Sequence, residues 1–373
     1  MRLLHLVSPE CNLERERGLP VLLEKIPRAR AIQIVAALGG GPASRLRSYG
    51  LPVRRLSGPR PSHLACVPGL RQLHGRESIE LVHAWDGLAG ATARAAHPGL
   101  PVALSVDDPA DAARVGRWWR SSESRSPDAL LCPTEIVRRR LIEYAVPPER
   151  VVVIRPGVDF GLINRVDRPG VRSRLRLDGK GPVLVTPGPA ADGAGQREVV
   201  WATALLQQMW PNIRVLLPGR SREQQRMIRF VRSFRQPQIL VCTGDAYAGW
   251  ELLCCADFCI SGAQRDVSTT LLAWAMAAGV PIVAPAVHAI TELIADHHNG
   301  LLCKTGLPRL LAARVMMMLD DAALARRLAE TARGQAFDVF GMRRFVDQHL
   351  RLYDNLLSGR PAASGITDSA ILT

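Results

Sequence analysis

Asp266, Ser268, Thr269 and Thr270 stand together at the head of the stretch DVSTTLLAWAMAAGVPIVAP (266–285): one carboxylate and three hydroxyls ahead of a long apolar run. That composition marks a helix start, where unpaired amides and the positive end of the helix dipole attract anions and hydroxyl-bearing ligands. Asp266 then has two uses, to cap the following helix or to accept protons from a ligand's hydroxyls, and one residue can serve both. Trp274, inside the apolar run, reads as packed core. A second acidic group, Asp107, Asp108 and Asp111, follows the run PVALSV. Its spacing does not single out a divalent cation, and Pro109 favours a helix N-terminus with capping acids.

Other reactive side chains support blander readings. The eight cysteines include no CxxC pair that would make a tetrahedral zinc site, and most lie in apolar runs, as buried thiols of a reducing compartment do. Neither a metal nor a cofactor is expected. His83 in LVHAWDG reads as a satisfied histidine at a strand end, and His297 with His298 as an exposed turn before Asn299 and Gly300. Trp118 and Trp119, between Arg117 and Arg120, leave two readings open: an acceptor-binding or membrane-touching loop, or packing beneath an inter-domain linker.

The formal charge of +14 rests almost wholly on arginine, since Lys25, Lys180 and Lys304 are the only lysines. Such a field suits an anionic partner, whether a nucleoside diphosphate, a membrane surface or nucleic acid. The arginines are spread along helical stretches such as VRRRLIEY and MIRFVRSFR, with no basic run interleaved with aromatics, so nucleic acid is disfavoured. The start MRLLHLVSPE lacks the layout of a secretory signal and reads as a strand, and residues 271–287 are interrupted by Gly279, Pro281 and Pro285. The expectation is a cytoplasmic chain, with peripheral contact at the inner membrane face as an open alternative.

These residues need a scaffold, and its grammar is plain. LLHLVSP, AIQIVAALGG, IELVHAW, PVALSVDD, ALLCPT and VVVIRPGVD are strand candidates separated by helical stretches, for example 86–97 and 135–145. Strands apolar on both faces and alternating with helices imply a parallel sheet covered on both sides. After an arginine-rich connection at 160–181 the pattern restarts with PVLVTPG, IRVLLPG, QILVCTG, FCISGA, PIVAP and GLLC. The reading is an α/β chain of two tandem doubly wound, Rossmann-like domains. The boundaries expected are 1–165, 166–340, a helix at 341–357 that packs back on the first domain, and a loose tail at 358–373.

MRLLHLVSP, AALGGGPASRLRSYGLPVRRL, LVHAWDGLAG, ERVVVIRPGVD, LLAWAMAAGVPIVAP and TELIADHHNGLLC, in that order, resemble the family 4 glycosyltransferases, metal-independent retaining enzymes of the GT-B fold. The resemblance covers nearly the whole chain. It implies a nucleotide-sugar donor held mainly by the second domain and a glycan or lipid-linked acceptor held by the first. It also implies donor-binding positions at Gly188, Ser268, Thr269, Thr270 and Gly244, and places the catalytic carboxylates at Asp266 and Asp107.

Several positions depart from that pattern. The first of the family's paired glutamates falls on Asp266 and the second on Trp274, which cannot accept a ribose hydroxyl. The phosphate-binding arginine and lysine positions fall on Pro189 and Ala194, and the first-domain histidine on Asp107. The turn after the first strand is ECNLERERG rather than glycine-rich. Two lost charge-assisted contacts cost about 3–6 kcal/mol together. Arg197, Arg220 and Arg265 are the nearest candidates in sequence to restore them. Two functions therefore stand side by side: a retaining glycosyltransferase, and an inactive relative that binds a glycan, a nucleotide or a partner protein.

Overall fold

The computed structural model describes residues 1–9, 11, 18–48, 50–56, 63–121, 126–177, 179, 181–188, 193–233 and 237–366. It divides into two compact units, one of Met1–Gly157 with the C-terminal segment from Met342, the other Val158–Gly341.

In the first unit the chain alternates β1 (Arg2–Val7), α1 (Leu19–Lys25), β2 (Ile32–Leu38), α2 (Gly40–Ser48), β3 (Arg54–Leu56), α3 (Val67–Glu77), β4 (Leu81–Ala84), α4 (Gly87–Ala96), β5 (Val102–Ser105), α5 (Pro109–Ser121), β6 (Ala129–Cys132), α6 (Glu135–Glu143) and β7 (Val151–Val153). All seven strands pair in parallel, in the order β3-β2-β1-β4-β5-β6-β7. β4 and β6 are buried along their whole length, as a sheet covered by helices on both faces requires.

The second unit repeats the scheme with α7 (Phe160–Asn164), α8 (Arg168–Arg174), β8 (Val183–Val185), α9 (Gln196–Leu206), β9 (Arg214–Pro218), α10 (Arg222–Ser233), β10 (Leu240–Gly244), α11 (Gly249–Cys255), β11 (Phe258–Ile260), α12 (Thr270–Ala278), β12 (Ile282–Pro285), α13 (His288–Thr291), β13 (Leu301–Cys303), α14 (Pro308–Asp320) and α15 (Ala322–Val339). The strand order β10-β9-β8-β11-β12-β13 is again parallel throughout and reverses direction between β8 and β11. The helices that follow those two strands, α9 and α12, pack into different cores, and such a switch point is where open α/β sheets take their ligands.

At this switch point the loops after β8 and β11 meet backbone to backbone. Gln264 N–H donates to the Gly193 carbonyl at 2.9 Å. Gly195, at φ +72, lies so close to Gly262 that a Cβ there would stand 1.6 Å from the Gly262 carbonyl oxygen. Only glycine supplies both that conformation and that approach.

The connection at 160–181, expected as a polar link, instead contains α7 and α8. Asp159 accepts the amides of Gly161 and Leu162, Asp167 accepts that of Gly170, and Ile163 and Val171 are buried. Two capping carboxylates and two buried apolar residues outweigh the arginine-rich composition. The helical stretch at 308–357 is three helices, broken where the Asp321 carboxylate accepts the amides of Ala323 and Leu324 and again at Phe340–Gly341. The tail after Ser358, expected to be loose, is held through Ser364: Asn355 donates to the carbonyls of Ala362 and Ser364, and Ala362 is buried. Residues 367–373 lie outside the described residues.

The last helix (Met342–Leu357) belongs to the first unit, burying Phe345, Val346, Leu352 and Tyr353 among residues of β1, α1 and β2. It closes a core of three fully buried histidines. His83 contacts the Tyr353 hydroxyl through Nδ1 (2.7 Å) and Ser105 Oγ through Nε2 (2.8 Å), so both ring nitrogens are satisfied and the strand-end reading of His83 becomes full burial. His5 accepts from Trp85 Nε1 at 3.2 Å, which fixes its Nε2–H as the donor to Gln33 Oε1 at 3.0 Å. His349 Nδ1–H donates to the Phe345 carbonyl at 2.8 Å. Burial holds His5 and His349 at about 4 and His83 well below 6.5, so all three are neutral in the fold.

The cysteines follow the same logic. None of the eight forms a disulfide and seven are buried, and burial pushes Cys254, Cys255 and Cys303 up to about 11 and Cys259 up to about 12. They are packing residues, inert as nucleophiles.

Two outcomes follow. Depressed histidine pKa values mean that the unfolded chain takes up protons below pH 6.5 while the fold does not until about pH 4. Stability is therefore complete above pH 6.5 and lost as pH falls through that window, by roughly 3 kcal/mol for each of His5 and His349. Urea unfolding from pH 8 to 4.5 should show this slope, and His349→Leu should flatten it. Gly195→Ala should lower stability by roughly 2 kcal/mol or more in thermal melts. Gly99→Ala, where a Cβ meets nothing within 4 Å, should change it by less than about 0.5 kcal/mol.

Candidate functional site

The junction of the β8 and β11 loops collects most of the residues singled out from the sequence. Gly188 closes the β8 turn at φ +114, its N–H donating to the Thr186 carbonyl while Thr186 Oγ1 donates to the Gly188 carbonyl. A Cβ on Gly188 would stand 3.7 Å from Leu271 on α12, so this turn and the start of α12 are neighbours. Ser268, Thr269 and Thr270 lead into that helix, with Ser268 Oγ 3.4 Å from Thr270 Oγ1. Thr269 occupies the N-cap position but makes no side-chain cap, and its buried hydroxyl has no hydrogen-bond partner. A buried hydroxyl left unpaired beside free helix amides is unusual in a folded protein.

Asp266 does not cap α12. One of its oxygens accepts the amide of Ala289 at 2.7 Å and the other lies 3.7 Å from His288 Nδ1, so the carboxylate ties the β11 loop to the first turn of α13. The 19% exposure of its side chain leaves an edge open to a ligand. Trp274 is buried against Trp250, ring centroids 5.8 Å apart, and its Nε1–H has no partner. Trp274 thus forms an apolar wall with one unused donor.

Cations approach the junction from neighbouring loops. The Arg265 side chain crosses Gly193 so closely that a Cβ on that glycine would lie 2.3 Å from Arg265 Nε. Ala194 is the next residue. Arg220 follows β9 and pairs with Asp245 at 3.4 Å, beside Gly244 at φ +55 on β10. Gly244 therefore sits two strands away from Gly188, at the far side of the same strand ends. Arg197 lies elsewhere, its guanidinium 4.9 Å over the Phe230 ring. It lines a groove of about 610 Å³ that runs from Gly193, Gly195 and Gln264 between α9 and α10, with Arg226 and Arg229 on the opposite wall. Pro189 and its neighbours to Asp192 lie outside the described residues, as does most of ECNLERERG.

In the first unit Asp107 is half-buried just beyond β5. Asp108 caps α5, its Oδ1 accepting the amides of Ala110 and Asp111 at 2.8 Å. Trp118 and Trp119 lie on α5 rather than on a loop. Trp119 is core, with the Arg150 guanidinium 5.3 Å over its ring, whereas Trp118 is half-exposed. His297, at φ 60, and His298 form the turn before Asn299. Among the described residues no group of three or more His, Cys, Asp or Glu could hold a metal ion, and no helix is long and apolar enough to cross a membrane.

What the sequence reading missed has a common cause. The partnership of Asp266 with Ala289 and the passage of Arg265 over Gly193 each join residues tens of positions apart, and no local pattern announces them.

Known proteins resemble this chain along most of its length. The model of Glycosyltransferase Family 4 matches residues 27–161, and that of Glycosyl transferases group 1 matches residues 167–335. A D-inositol 3-phosphate glycosyltransferase of Nocardioides sp. is 27% identical over 290 residues, 70% of this chain and 59% of that protein. An N-acetyl-alpha-D-glucosaminyl L-malate synthase of Bacillus anthracis is 26% identical over 144 residues, 39% of this chain and 38% of the other. The matches thus span less than two thirds of either relative. Among solved structures, Anabaena HepE in complex with UDP and glucose superposes with a TM-score of 0.82 at 18% identity, covering 95% of this chain and 100% of that one. WaaG, a glycosyltransferase involved in lipopolysaccharide biosynthesis, does so with a TM-score of 0.72 at 15% identity, covering 96% and 100%. Two family models that between them account for both units and two parallel Rossmann-like sheets make this chain a member of the family 4, group 1 glycosyltransferases with the GT-B fold.

Proposed function

We propose that the protein transfers a sugar from a nucleoside diphosphate donor to a hydroxyl of a glycan or lipid-linked acceptor, with retention of configuration and without a metal. In that reaction the bond between the anomeric carbon and the diphosphate oxygen breaks and a bond to the acceptor oxygen forms. The acceptor's proton leaves with the diphosphate. Negative charge grows on the leaving group, so the site must supply donors or cations there.

One observation carries the reading: the unpaired amides at the start of α12, with the hydroxyls of Ser268, Thr269 and Thr270, adjoin the glycine-built turn at Gly188 at the switch point of the second sheet. Solved HepE complexes contain UDP and UDP-glucose, which favours a uridine diphosphate sugar as the donor here. Arg265 is the residue we assign to the charge that the lysine position no longer carries, because its side chain lies across Gly193, adjacent to Ala194. Gly244 and Arg220, at the ends of β10 and β9, suit the nucleoside end of such a donor. Asp266 is assigned a sugar hydroxyl through its open edge, and Asp107, in the first unit, is assigned a hydroxyl of the acceptor.

A second reading, a binding protein without turnover, draws on the commitment of the Asp266 carboxylate to Ala289 and on the burial of Trp274. The second reading takes a glycan, a nucleotide or a partner protein as its ligand, so absence of UDP binding favours it and turnover excludes it. Isothermal titration with UDP should give a binding heat in the wild-type protein. Arg265→Ala should weaken binding roughly 10- to 100-fold, the range of one charge-assisted contact, while Arg197→Ala leaves it within about twofold. Equal affinity in Arg265→Ala would remove that residue from the site. Release of UDP from UDP-glucose by purified protein, abolished in Thr269→Val with the fold intact, would decide for the enzyme.

A further inference from the structure

α4 and α5 enclose a hollow of about 230 Å³ at the end of β5 in the first unit. Its floor and one wall are small: Gly87 and Ala91 on α4 leave the room, and Gly90 lets the Trp118 ring lie close, its Cη2 3.7 Å from where a Cβ would stand. On α5, Asp111, Arg114, Val115 and Trp118 fall at spacings of three and four residues and so share the face that lines the hollow. The Asp111 carboxylate pairs with the Arg114 guanidinium. Ser105, whose hydroxyl is joined to His83 Nε2, lines the hollow at the end of β5.

This lining combines two kinds of surface that few ligands satisfy at once. The partly buried indole offers a flat apolar face, while the carboxylate and guanidinium offer acceptors and donors along the edge. A pyranose or cyclitol ring matches both, with C–H bonds on one face and hydroxyls around the rim. An anionic group is opposed by Asp111, and a purely apolar ring leaves the ion pair unused. Burial, followed by the nearby Asp108, holds the Asp111 carboxyl above its usual range against the pull of Arg114. The volume admits one ring rather than a chain of them.

We propose that this hollow is a subsite for a single uncharged sugar or cyclitol ring, which stacks on Trp118 and donates its hydroxyl protons to Asp111. The assignment of that ring to the acceptor rests on the function proposed above, whereas its binding does not.

Saturation-transfer NMR on the intact protein, without nucleotide, tests it with methyl glucoside, methyl galactoside, N-acetylglucosamine and myo-inositol. At least one should bind in the millimolar range, with saturation strongest on the C–H face. Trp118→Ala should weaken it roughly tenfold and Trp118→Phe much less, and Asp111→Asn should weaken it about as much as the alanine variant. Ala91→Leu removes no contact and fills the space, so it should abolish binding in a protein that melts as the wild type does. UDP affinity should stay within about twofold in all four variants, which separates failure of this subsite from failure of the donor reading. Absence of binding by every ring up to about 50 mM, or binding that survives Ala91→Leu, would overturn the proposal.

Discussion

The approach of Gly195 to Gly262 governs what the second unit can offer a ligand. Two loops that leave a parallel sheet on opposite sides of its switch point have no strand pairing to hold them together, so their relative position depends on direct contact. Here that contact is backbone against backbone, supported by the hydrogen bond from Gln264 to Gly193. It brings Arg265 across the β8 loop and fixes where the following Asp266, Ser268 and Thr269 stand. A side chain at either glycine would open the junction and scatter those groups. The positive φ at Gly188, Gly193 and Gly195 belongs to the same requirement, since a loop that turns this sharply within eight residues uses conformations that other residues adopt only under strain.

Electrostatics around that junction are sparer than the family pattern implies. Alanine stands where a lysine is expected and tryptophan where a glutamate is, while the carboxylate at Asp266 works partly as scaffold by holding the first turn of α13. Charge in the region comes instead from arginines, Arg265 across the loop and Arg220 at the end of β9, and from the helix dipole of α12. Arginine differs from lysine here, because its planar fork can take two phosphate oxygens from a fixed orientation. The first unit invests its polar groups differently: three neutral histidines, Tyr353 and Trp85 form a closed network under the last helix, a stabilising device without reactive role.

Much of the fold was legible in the residues. Runs such as IELVHAW and PIVAP, apolar on both faces and bounded by helical stretches, leave little alternative to two parallel sheets, and the docking of Met342–Leu357 was readable from Phe345 and Leu352. The α7 and α8 turns were hidden because arginine-rich composition masked two aspartate caps. At the candidate site the sequence singled out Asp266, the hydroxyls that follow it and Gly188, which the fold gathers at one switch point. It could not reveal that Asp266 reaches Ala289, that Arg265 covers Gly193, or that Trp118 and Trp119, adjacent in the chain, part company into a hollow and a core. Those facts depend on chain separation and helix rotation, which periodicity does not encode.

The central claim is that a nucleoside diphosphate sits at the β8–β11 junction with Arg265 in place of the missing lysine. A crystal structure of the protein grown with UDP tests this most directly. The account expects phosphate oxygens within hydrogen-bond reach of the amides at Ser268–Thr270 and of the Arg265 guanidinium. Nucleotide seated instead in the groove between α9 and α10, or Arg265 turned away from an occupied junction, would contradict it.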